Sequence, residues 1–171
     1  MSKSGFVAAA ALFVATPALA HVTLENRQAA VGSYYKAVFA VPHGCAGSAT
    51  VKVRVQVPEG VIGIKPMPKP GWNLETVKGK YAAEYELHGS KFFESVKEVV
   101  WSGGKLADDN YDEFVFASFL TTALKPNTTL YFPVVQECEQ GTSRWIEIPK
   151  EGSDDHGSKS PAPGLKLVPK P

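Results

Sequence analysis

Cysteine is scarce in this sequence: Cys45 and Cys138 are the only two in 171 residues. No C-x-x-C spacing supports a metal or redox pair, and once these two are joined none is left over as a nucleophile. Histidine is also rare, with His21, His43, His88 and His156 only. G-x-S-x-G, P-loop, H-E-x-x-H and dinucleotide fingerprints are all missing. The acidic pair Asp108-Asp109 lies in the turn-rich "GGKLADDNYDE" and reads as solvated turn rather than acid–base machinery. Hydrolytic catalysis has little to stand on, and the chain is not expected to be an enzyme. Charge of one sign is lacking too: 18 Lys and Arg against 17 Asp and Glu. That balance gives no electrostatic reason to expect nucleic acid or an anionic membrane surface as a partner. No window carries a long helical period.

What is present begins with a leader. Residues 1–20 have Lys3, an apolar core "FVAAAALFVA", Pro17 and the small-residue triplet Ala18-Leu19-Ala20. This is the pattern of a secretory signal peptide cut between Ala20 and His21. The alternative is a membrane anchor, but the apolar run Gly5–Ala15 is far short of the roughly 20 residues that span a bilayer. No cysteine follows the triplet, so lipid attachment is not indicated. Export to a periplasmic or secreted location is expected, with no membrane anchor expected after cleavage. In that oxidising compartment Cys45 and Cys138 are expected to form one disulfide.

Short alternating segments fill the rest. In "TVKVRVQV" Val51, Val53, Val55 and Val57 share one face and Lys52, Arg54 and Gln56 the other, the period of a half-buried strand. "YYKAVFAV", "WNLETV", "KYAAEYEL", "KEVVW", "EFVFASFL", "TLYFPVV" and "RWIEI" are further strand candidates, separated by Gly, Pro, Asn and Asp. Many short strands predict an all-β antiparallel sandwich of Ig-like architecture over residues 21–149, with a one-domain barrel as the alternative. "KPMPKPGW" (65–72) reads as a stiff loop. From residue 150 to 171 Pro, Gly, Ser and charge dominate, and the sequence predicts a disordered polar tail that contains His156.

Cleavage changes the chemistry of His21. At a free N-terminus its α-amino nitrogen and its ring Nδ1 reach one metal, closing a six-membered chelate of two nitrogen donors suited to Cu(II). The bland alternative is an arbitrary residue after a cleavage site. An amino-terminal Cu/Ni motif needs histidine third, where Thr23 stands. A two-histidine brace needs a second ring from His43 or His88, both of which look like turn residues. A carboxylate is the other donor type. Glu113 opens "EFVFASFL" off the parity of Phe114 and Phe116, so it points away from the core at a strand start. In "RWIEI", Ile146 and Ile148 share one parity and Trp145 and Glu147 the other. That pattern puts Trp145 off the core face, covering something or packed on the sandwich edge. With Met67 the one thioether after the leader, Cu(I) is a poor match.

The stretches "AHVTLE", "VPHGC", "VKVRVQVPEGV", "KPGW", "DEFVF" and "RWIEIP" together resemble the YcnI-like family of exported copper-associated proteins, over roughly residues 21–149. The resemblance implies an Ig-like or cupredoxin-like sandwich and a Cu(II) site, the monohistidine brace. Its ligands would be His21, through amine and ring, and Glu113, with Trp145 close to the metal. Trp72 and Trp101 compete with Trp145 for that role, and Glu25 and Asp112 with Glu113. The expected function is extracytoplasmic Cu(II) binding as a chaperone or carrier, with copper-handling membrane or periplasmic proteins as partners. A copper-dependent oxidase and a metal-free interaction module are the alternatives.

Overall fold

The computed structural model describes residues 21–149 and 158–170. Residues 1–20, expected to be a leader, and His156 lie outside the described residues. Twelve strands follow in chain order: β1 (Thr23–Leu24), β2 (Gln28–Ala30), β3 (Ser33–Val41), β4 (Thr50–Gln56), β5 (Val61–Pro66), β6 (Asn73–Leu87), β7 (Ser90–Leu106), β8 (Asp112–Leu120), β9 (Thr129–Tyr131), β10 (Val134–Cys138), β11 (Thr142–Trp145) and β12 (Gly164–Val168). No described residue is helical. The strands form a four-stranded sheet β1-β3-β8-β5, a five-stranded sheet β11-β10-β4-β7-β6, and a small sheet β2-β12-β9. The fold is an all-β sandwich.

Alternation explains how the two large sheets bury one face each. Tyr35, Ala37, Phe39 and Val41 of β3 and Phe114, Phe116, Ser118 and Leu120 of β8 are all buried. Val53 and Val55 of β4 and Val99 and Trp101 of β7 are fully covered and join them in a single cluster. Trp101 meets Phe114 with ring centroids 5.5 Å apart, and its indole N–H donates to the Met67 carbonyl at 3.1 Å. The disulfide between Cys45 and Cys138 is present and closes a sequence separation of 93.

Four expectations about strands need correction. "WNLETV" and "KYAAEYEL" are one 15-residue strand, β6, which passes Gly79 without a break and is offset from β7 by irregularities on either side of Lys78–Lys80. "TLYFPVV" divides instead. Pro133 has no N–H to give a ladder, and the chain changes sheets there, with β9 in the small sheet and β10 in the five-stranded one. In β4 the register shifts between Thr50 and Lys52, so Thr50 turns fully inward while Val51 is only half-buried. In "RWIEI" Trp145 is the buried residue and Ile146 and Ile148 are exposed. β11 ends at Trp145, so the strand parity that paired Ile146 with the core does not extend to it.

The disordered tail expected over residues 150–171 is corrected for its second half. Residues 150–157 lie outside the described residues. Beyond them, β12 pairs in parallel with β2 and antiparallel with β9. Leu165 and Leu167 are 0% and 1% exposed and belong to the main core. A strand this short fits among polar residues because its two leucines alternate inward while Lys166 faces out. Replacing Leu165 with alanine should cost about 2–5 kcal/mol, the range for a buried leucine. Chemical denaturation checks this, and a change under about 0.5 kcal/mol, as at ordinary surface positions, would contradict the packing.

Candidate functional site

The start of the described chain runs along the rim of the sandwich. Val22 and Leu24 are buried and pin it there, which leaves His21 and Thr23 on the opposite parity. The His21 ring packs edge-on against Trp145, with centroids 5.4 Å apart and planes at 72°. Its Nε2 is buried and has no hydrogen-bond partner among the described residues. Nδ1, on the backbone side of the ring, is the nitrogen left for other chemistry.

Trp145 is itself held. Its Nε1–H donates to Oε1 of Gln136 at 3.1 Å. Gln136 is fully buried, and its amide nitrogen donates to the His43 carbonyl and to Thr50 Oγ1, both at 2.7 Å. A core glutamine is costly unless every polar atom is matched, and here the bulge that turns Thr50 inward supplies one of the matches. Sequence reasoning missed Gln136, although a signal existed: in "VVQEC" it shares the inward parity of Val134 and Cys138. Gln136→Leu should leave the buried indole N–H without an acceptor and cost about 1–3 kcal/mol. It should also alter the near-ultraviolet circular dichroism of Trp145, and an unchanged spectrum and stability would show that the amide does not hold the indole.

Glu113 stands elsewhere on the same surface. Thr23 pairs with Ala40 and Ala40 with Glu113, so the three residues form one cross-strand row. At ordinary strand spacing Glu113 is about 10 Å from Thr23 at the backbone, with only the methyl group of Ala40 between them. The Glu113 carboxylate accepts a hydrogen bond from Tyr111. That bond, with burial and the neighbouring charges of Glu113, Glu25 and Asp112, pushes the Tyr111 phenol up to about 12. Asp112 is committed to Lys69 at 2.5 Å and to the Glu113 N–H. The structure thus joins His21 to Trp145 and leaves Glu113 in a neighbouring acidic group. Among the described residues no three His, Cys, Asp or Glu side chains cluster closely enough to hold a metal ion by themselves.

The competing residues are otherwise engaged. Trp101 is sealed in the core, and Trp72 packs on Phe114 with centroids 5.0 Å apart. His88 sits at the β6–β7 turn and shares a hydrogen bond of 2.9 Å with the Tyr34 hydroxyl. Tyr34 lies about 20 Å along β3 from the row that carries Thr23. His43 turns its Nδ1 to its own neighbouring Gly44 carbonyl at 2.5 Å and lends its own carbonyl to Gln136.

This geometry can be set beside known proteins. The family described as a domain of unknown function, DUF1775, matches residues 21–167. The chain belongs to the DUF1775 family. The match opens on His21 and runs into β12, so the C-terminal strand is part of the DUF1775 domain. A crystal structure of an uncharacterized protein from Nocardia farcinica, described as revealing an immunoglobulin-like fold, is similar at 24% identity. It covers 88% of this chain and 99% of its own, with a TM-score of 0.63. At that identity the likeness establishes the fold alone. No curated protein matches the chain.

Proposed function

We propose that this DUF1775 domain is YcnI-like in function: an exported Cu(II) carrier that takes the metal at a mature N-terminus beginning with His21. The amine and Nδ1 of His21 chelate the ion, the carboxylate of Glu113 adds an oxygen donor, and Trp145 lies against the site without bonding to it. The His21–Trp145 contact carries this reading. A ring pressed on a hydrogen-bonded indole, with Nε2 turned into the protein, has little freedom left. Pre-ordering of that kind lowers the entropy that metal capture would otherwise cost. Nitrogen and carboxylate donors suit Cu(II). Glu113 joins by releasing Tyr111 and reaching across Ala40, a position too small to obstruct it.

A chain beginning at His21 should take up one Cu(II) and quench tryptophan fluorescence in proportion. Uptake should weaken as the pH falls, because both nitrogens bind only when deprotonated. No stoichiometric uptake at neutral pH would return the domain to a metal-free interaction module.

A further inference from the structure

His21 itself lines one edge of a cavity of about 380 Å³ whose wall otherwise includes Thr23, Arg27, Thr129, Tyr131 and Lys166. Its size is in the range of small-molecule sites. The register explains the floor. Gly164 pairs with Tyr131 and Lys166 with Thr129, so these four positions share the face opposite Leu165 and Leu167. A Cβ on Gly164 would lie 2.9 Å from Thr129 Cγ2 and 3.2 Å from Tyr131 Cε1, so glycine keeps the space clear. The backbone ties the two cations together, since the Lys166 N–H donates to the Arg27 carbonyl at 2.8 Å.

The chemistry of the wall is one-sided. Among the described residues no Asp or Glu lines the cavity. Six basic side chains, Lys52, Arg54, Lys69, Lys91, Lys97 and Lys105, are paired with carboxylates. The other described ones have no ion pair among the described residues; what sets Arg27 and Lys166 apart is that they share one cavity wall. Arg27 bonds only the Leu24 carbonyl, at 3.4 Å, and neither it nor Lys166 has an ion-pair partner among the described residues. Two unpaired cations, together with the hydroxyls of Thr129 and Tyr131, make a pocket of donors in a chain whose overall charge is close to zero.

We propose that this cavity binds a small, multiply charged oxyanion, a di- or tricarboxylate or a phosphate, held by Arg27 and Lys166. The guanidinium fork matches the paired oxygens of either group, and the ammonium supplies a second point charge. Thr129 and Tyr131 donate to the remaining oxygens. The site stands on the charges of the wall and does not depend on copper.

Calorimetric titration of the metal-free chain beginning at His21, with citrate and with inorganic phosphate in separate runs, tests it. At least one anion should bind at one per chain and weaken as salt is raised, and the stronger of the two names the ligand class. Acetate, with a single charge, should bind at least about tenfold more weakly, as expected when one of two charged contacts is lost. Arg27→Gln and Lys166→Gln should each weaken binding by about tenfold or more, while Lys36→Gln, on the outer face of β3, should leave it unchanged. Arg27 and Lys166 are exposed, so both variants should keep the native circular dichroism. Absence of one-to-one binding by both anions, or binding indifferent to both substitutions, would overturn the proposal. A chain that binds citrate but takes no copper supports it while removing the copper reading; the reverse result removes the anion site alone.

Discussion

One extra residue in front of His21 should abolish tight Cu(II) binding and leave the β-fold intact. The extension turns the α-amine into an amide, which coordinates only after losing its own proton, so the chelate opens. His21→Ala should be as damaging, because it removes the ring and leaves the amine without its partner. Both should lower affinity by more than about 100-fold, since even partners that merely orient a ligand contribute 10–100-fold. Glu113→Gln should cost less, because it removes one charged donor and leaves the nitrogen chelate. Trp145→Phe should chiefly remove the optical response. Competition titrations against a chelator of known affinity measure all four, and equal affinity in the extended chain would exclude the amine as a ligand.

Replacing Cys45 and Cys138 together with serine should produce the largest loss of stability among these changes. The bond closes a sequence separation of 93, and in the chain-entropy account such a loop contributes about 4–5 kcal/mol. For a domain of this size that corresponds to a fall in melting temperature of roughly 10–15 °C. Copper stoichiometry should not change, because the sulfurs reach the site only through Gln136 and its neighbours: Cys45 Sγ lies 3.7 Å from the Gln136 carbonyl and Cys138 Sγ 3.8 Å from Thr50 Oγ1. Loss of copper binding in a variant that still folds would make the disulfide part of the metal site.

The parts of the fold legible in the sequence are those where one face is buried over many residues. β3 and β8 have that form and alternation identifies their inward sets, while in β4 it holds for Val53 and Val55 and fails at Val51, where the register shifts. The C-terminal strand was hidden because its apolar signal is two leucines among lysine and proline, and its partners β2 and β9 are three residues each. Only tertiary pairing makes such a segment a strand. The division at Pro133 was marked by the proline itself, whose consequence depends on a second sheet being present to receive β9. Trp145 defeated the parity argument because β11 stops there and the polypeptide turns its following isoleucines outward.

At the site, the sequence singles out His21 by the cleavage triplet before it, and the metal chemistry proposed for it rests on a free amine at that position. The supporting shell was much less so. Gln136 reads as an ordinary polar residue until its parity is compared with Val134 and Cys138, and Thr50 faces it only because of a bulge. Glu113 was read as pointing away from the core, and it does lie half-exposed at the start of β8, but nothing in the sequence indicated that Tyr111 would engage its carboxylate.

The central claim is that copper is held by a single histidine through both its amine and its ring. Pulsed electron paramagnetic resonance of the Cu(II)-loaded chain beginning at His21, with and without ¹⁵N-histidine, counts the imidazoles on the metal directly. The account predicts one imidazole and one amine nitrogen, both assigned to histidine and both lost in His21→Ala. Two imidazole rings, or none, would contradict it.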